Sequence, residues 1–157
     1  MRSDHELRFD VTLGRCRVRG RMYAAVDPGS ICASVSSYLD DQPIEGLEEC
    51  PATALPVPLV GGLSVTDLPP HRFAYSWGIL GAAVKHVTSS PGSRVEYRRA
   101  VVEPGAECVV FLALVLGDEV SDRRAAALDL WGEGDDPLGR VRLRVIRPGE
   151  IEHLGDF

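Results

Sequence analysis

Eight apolar residues in a row, Val109-Val110-Phe111-Leu112-Ala113-Leu114-Val115-Leu116, have no polar face to offer to water. Strand side chains alternate between two sides, so a strand of this composition has to be covered on both. The covering layers must come from the rest of the chain. A second segment has a similar character: Phe73, Trp77, Leu80, Gly81, Val84 and Val87 recur at helical spacing, while Ala74, Ile79, Ala82 and Ala83 make most of the remainder apolar. Read as a helix over 73–87, it belongs inside the protein.

The chain has 157 residues, which fits one domain, and folding at this size buries roughly 68–70% of the unfolded surface. No apolar run approaches the roughly 18 residues of a membrane span, and Met1-Arg2-Ser3-Asp4-His5-Glu6 carries mixed charges with no apolar stretch behind it. The expectation is a cytoplasmic protein with no membrane segment. A formal net charge of −6 argues against non-specific nucleic-acid binding. Cys16, Cys32, Cys50 and Cys108 are widely spaced and no histidines cluster, so neither a metal, a cofactor nor a redox pair is indicated; the cysteines read as buried or idle thiols.

Arg15, Arg17, Arg19 and Arg21 alternate with Cys16, Val18, Gly20 and Met22, which predicts a strand near 15–26 with one charged face. Asp27-Pro28 offers an N-cap and a first-turn proline, and Ile31, Val35 and Leu39 recur at helical spacing, predicting a helix over 28–39. The stretch 45–72 holds Pro51, Pro56, Pro58, Pro69 and Pro70 with Gly61-Gly62 and reads as a long loop or lid. After the 73–87 helix the pattern turns to a strand meander over 95–146: Val95 to Val102, a turn at Pro104-Gly105, Val109 to Leu116, a turn at Gly117-Asp118, Ala125 to Trp131, then Arg140 to Ile146. A buried helix followed by an antiparallel meander is satisfied by an α+β arrangement with the sheet wrapped around the helix.

That order of elements is similar to the hotdog fold, and several segments resemble its MaoC-like branch, the R-specific enoyl-thioester hydratases and dehydratases. The family reads Gly-Asp-x-Asn-Pro-Ile-His where this chain has Leu39-Asp40-Asp41-Gln42-Pro43-Ile44-Glu45, with glutamate in place of the histidine. Its central helix opens with His-Gly-Met, to which Trp77-Gly78-Ile79 corresponds, and its next strand resembles the stretch from Val95 to Ala106. The resemblance implies a single hotdog domain over 1–157, paired as a homodimer or hotdog heterodimer, acting on an acyl or polyketide chain held by coenzyme A or an acyl carrier protein.

Chemistry of that kind needs a water-activating group, a proton for the alpha carbon and donors for the carbonyl oxygen. The resemblance assigns the first two tasks to Asp40 and Glu45. Two partly buried carboxylates in contact cannot both ionise comfortably, so they would form a proton-sharing couple. It assigns the third to the helix N-terminus, with Gly78 admitting the thioester. Trp77, Ile79 and Tyr75 would line the substrate channel, and His71 would supply an imidazole. The plainer reading of the same residues is that Asp40 and Asp41 end a helix or form a turn, Glu45 is solvated, His71 is in an exposed loop and the aromatics are core. Two strips of arginine, 15 to 21 and Arg140, Arg142 and Arg144, together suggest a basic surface for coenzyme A phosphates or an acidic carrier protein. The implied activity is lyase-type: dehydration, hydration, isomerisation or proton-assisted cyclisation. The alternatives are a non-catalytic acyl-binding subunit and a hotdog thioesterase.

Overall fold

The structure, a computed structural model, describes residues 6–24, 31–50, 60–67, 73–102, 105–116 and 127–142. These residues form eleven strands, every pairing between them antiparallel, and they contain no α-helix. The first sheet is a meander of β1 (Glu6–Leu13), β2 (Cys16–Ala24), β3 (Ile31–Leu39) and β4 (Gln42–Glu49). The second uses β5 (Val60–Asp67), β6 (Phe73–Gly81), β8 (Ser93–Val102) and β9 (Ala106–Leu116) in the order β5-β6-β9-β8. The third is β11 (Pro137–Arg142), β10 (Ala127–Trp131) and β7 (His86–Ser89), in that order.

The all-apolar run explains this layering. Along β9, Cys108, Val110, Leu112 and Leu114 enter one core with Val18, Met22, Ile31 and Val35 of the first sheet. Val109, Phe111, Ala113 and Val115 enter a second core with Val87, Leu128, Leu130 and Val141 of the third. The second sheet is therefore the middle layer, and the expected cover on both sides of β9 is supplied by two further sheets. Gly20 lets the first sheet come close: a Cβ there would stand 2.9 Å from Leu112 Cδ2.

The α+β hotdog with a long central helix is overturned. Phe73–Gly81 is the strand β6, the chain turns at Ala82-Ala83, and His86–Ser89 is the strand β7. An element apolar on every side shows no period, and helix and doubly covered strand then read alike. Gly78 and Gly81, each costing about 1 kcal/mol in a helix, and the aromatic and β-branched residues favour the strand. Tyr75, Trp77 and Ile79 point to the first sheet and Leu80 to the third.

The helix expected over 28–39 is corrected to β3, with residues 28–30 outside the described ones. Ile31, Val35 and Leu39 are four apart, an even number, so they share a face in a strand as well as in a helix. The long-loop reading of 45–72 is corrected in part, since β4 runs to Glu49 and β5 covers Val60–Asp67; Pro51, Pro56, Pro58, Pro69 and Pro70 lie outside the described residues. The strands read near 15–26, 95–102, 109–116 and 125–131 are present as β2, β8, β9 and β10. The last begins at Pro137, three residues earlier than expected, and is described to Arg142.

Hairpin register also corrects the reading of idle cysteines. Ala33 pairs with Glu49, which sets Cys32 opposite Cys50, and the two form a disulfide. Cys16 and Cys108 are free and buried.

Candidate functional site

The described residues assigned to thioester chemistry lie in two places, the β3–β4 hairpin and the buried strand β6. Asp40 and Asp41 are the two residues of the β3–β4 hairpin turn, both with positive φ (50° and 64°), the conformation of a type I′ turn. Asp40 accepts from Arg15 Nε at 2.8 Å, and its amide donates to the Arg15 carbonyl at 2.9 Å. The Arg15 guanidinium holds the Asp40 carboxyl below the usual carboxylate range. Glu45 is an exposed residue of β4 whose carbonyl oxygen accepts a hydrogen bond from Ser37 Oγ at 3.4 Å. No hydrogen bond joins the side chains of Asp40 and Glu45 among the described residues.

Gly78, Ile79, Trp77 and Tyr75 all lie in β6. Gly78 is buried opposite Phe111, in mid-strand and not at a helix N-terminus. Tyr75, Trp77 and Ile79 are core, at 2% exposure or less. The Trp77 indole N–H donates to Glu49 Oε2 at 3.3 Å. His71 lies outside the described residues. Among the described residues no group of three or more His, Cys, Asp and Glu side chains is placed to hold a metal ion.

The arginine strips fall on opposite faces of the molecule, because the first and third sheets cover opposite sides of the middle one. On the third sheet Arg140 is neutralised by Asp129 across the ladder, Nε to Oδ1 at 2.7 Å, and Arg144 lies outside the described residues. Beside this pair the Trp131 indole N–H donates to Thr88 Oγ1 at 2.9 Å.

On the first sheet the alternation predicted for β2 is realised: Cys16, Val18, Gly20 and Met22 are buried, and Arg17, Arg19 and Arg21 stand on the outer face. Cross-strand register sets out the neighbours. Arg17 is opposite Thr12 and Tyr38, Arg19 is opposite Asp10 and Ser36, and Arg21 is opposite Arg8 and Ser34. Asp10 takes the diagonal partner, accepting from Arg17 Nε at 2.8 Å, and this bond keeps its carboxyl below its ordinary value. Glu6 holds Arg21 at 3.3 Å and Arg8 at 3.5 Å.

Both carboxylates of β1 are thereby committed to other arginines. Arg19 makes no hydrogen bond or ion pair among the described residues. The hydroxyls of Ser34, Ser36 and Tyr38 make no hydrogen bond there either. Arg8, Arg19, Arg21, Ser34, Ser36 and Tyr38 line one open depression of about 280 Å³. A second depression of about 590 Å³ lies at the hairpin end of the sheet, around Arg15, Arg17, Asp10 and Asp40. There the charges are already paired with one another.

Sequence reasoning found Arg19 as part of a charged face but missed Ser34, Ser36 and Tyr38. Their spacing of two was a strand signal concealed by reading the segment as helix. Comparison with known protein families, with curated proteins and with solved structures finds no match.

Proposed function

We propose that this protein is a binding domain, and that the outer face of its first sheet receives an acidic partner. The observation carrying this reading is an excess of arginine on one face: Arg8, Arg17, Arg19 and Arg21 share it with the carboxylates Glu6, Asp10 and Glu48, and Arg19 makes no ion pair among the described residues, on a chain whose formal net charge is −6. A local basic field on an acidic molecule steers an oppositely charged surface toward that face. The thioester chemistry implied by the hotdog likeness is not carried forward, nor is the protomer pairing that goes with that fold. Its oxyanion site needed a helix N-terminus, and its proton-sharing couple needed Asp40 and Glu45 together.

Binding to an acidic polypeptide such as poly-glutamate tests the reading. It is expected to weaken as salt rises and to be lost in the Arg17→Glu/Arg19→Glu/Arg21→Glu variant, while Arg140→Glu/Arg142→Glu on the opposite face leaves it in place. Binding that ignores salt or survives the first triple change would refute it.

Among the described residues no helix is long and apolar enough to cross a membrane. For the compartment, the Cys32–Cys50 bridge weighs against the cytoplasm expected from the sequence, because disulfides persist mainly where thiols are oxidised. We therefore place the folded domain in an oxidising compartment. Four free thiols in protein isolated under thiol-blocked native conditions would return it to the cytoplasm.

A further inference from the structure

We infer that the depression around Arg19 is a receptor for a phosphoryl group, which anchors the acidic partner on this face; the inference rests on the binding-domain reading. Arg19 sits on the outer face opposite Asp10, but among the described residues it makes no hydrogen bond or ion pair, since Asp10 accepts from Arg17, and Glu6 is shared by Arg8 and Arg21. Its guanidinium has five N–H donors in a planar fork. Ser36 lies directly across the ladder from it, Ser34 is one pleat further along β3 beside Arg21, and Tyr38 is one pleat the other way beside Arg17. Successive hydroxyls on that side of β3 are about 7 Å apart, so they reach a group over Arg19 from several directions.

The donor set selects the ligand. A carboxylate is planar with two oxygens, and one arginine fork engages both of them in its plane. Here a fork is accompanied by three hydroxyls that make no hydrogen bond among the described residues, so donors come from outside the plane of the fork as well as within it. A phosphoryl group presents three acceptor oxygens and a charge of about −1.5 to −2 near neutral pH. Arg19 answers part of that charge, and Arg8 and Arg21 at the rim, each sharing Glu6, answer the rest. The depression is open and shallow, which suits an anchoring group on a larger ligand better than an engulfed small molecule.

Two sources share this chemistry, a phosphate monoester carried by a partner and free phosphate. The test is an amide NMR titration of the full chain with O-phosphoserine, inorganic phosphate and acetate, at pH 5.5 and 7.5. Saturable shifts are expected at Arg19 to Arg21 and Ser34 to Tyr38 for both phosphates. Affinity should rise with pH as the second phosphate proton leaves, near pH 6. Arg19→Gln should weaken binding about tenfold and Ser34→Ala/Ser36→Ala about fivefold, with the amide spectrum away from this face unchanged in both variants. O-phosphoserine binding at least as tightly as inorganic phosphate assigns the monoester; the reverse order assigns the free ion. Acetate binding as tightly as phosphate, or phosphate binding unaltered in Arg19→Gln, overturns the phosphoryl assignment even where poly-glutamate still binds the face. Failure of both poly-glutamate and phosphate to bind overturns the binding-domain reading with it.

Discussion

Val109 and Val110 are sequence neighbours that face different cores, and this makes a quantitative prediction. They are 1% and 0% exposed, Val109 in the core shared with the third sheet and Val110 in the core shared with the first. Truncation to alanine removes two methyl groups from each. At about 0.8 kcal/mol per buried carbon the transfer loss is about 1.6 kcal/mol, and the unfilled cavity raises it to about 2–3 kcal/mol. With a urea slope of about 2 kcal/mol/M, each variant should lower the unfolding midpoint by about 1–1.5 M. Because the two residues share no packing partners across the sheet, the double variant should equal the sum within about 0.5 kcal/mol. Ile79 and Val110 are the control: they are opposite one another in the β6–β9 ladder and share a core, so Ile79→Val with Val110→Ala should couple by more than 0.5 kcal/mol. Equilibrium urea unfolding followed by tryptophan fluorescence measures all of these. Coupling of 1 kcal/mol or more between Val109 and Val110 would refute the assignment of β9 to two separate cores.

Reduction of the Cys32–Cys50 bridge, which closes a loop with a sequence separation of 18, should cost about 3 kcal/mol, read as a lower urea midpoint with a dithiol reductant. Asp41→Gly should raise stability by about 0.5–1 kcal/mol in the same assay, because glycine adopts the positive φ of the β3–β4 turn without strain. In acid, Asp10 and Asp40 have folded-state pKa values below their ordinary 3.8, through hydrogen bonds from Arg17 and Arg15. Their contribution is thus complete above the unfolded value and lost as pH falls through the depressed one. The thermal midpoint should be flat above about pH 5 and fall below about pH 4, with a shallower fall in Asp40→Asn.

The parts of this fold legible in the sequence were those with one clean period. The arginine alternation of β2 put Arg17, Arg19 and Arg21 on one face, and the unbroken Val109–Leu116 run demanded cover on both sides; both hold. Two apolar segments misled for the same physical reason. In Phe73–Gly81 both strand faces are buried, so no polar positions marked the period; in Ile31–Leu39 the conspicuous apolar residues were spaced by four, a multiple of two. The second error hid the candidate site, since Ser34, Ser36 and Tyr38 share a face only in an extended chain. The Cys32–Cys50 bridge had no signature in spacing because register alone sets those residues opposite one another. Asp40, read from a motif, is a turn residue fastened to Arg15 across the end of the sheet.

β9 lies between two sheets and residues 73–81 and 86–89 form strands instead of a helix, and proton–proton contacts in solution test this arrangement most directly. Nuclear Overhauser contacts are expected from the Leu112 methyls to the Gly20 α-protons on one side and from the Phe111 ring to the third-sheet core residues Leu128 and Leu130 on the other. Cross-strand contacts between Ile79 and Val110 are expected as well. Helical contacts between residues three apart across 73–87, with Leu112 remote from Gly20, would contradict this arrangement.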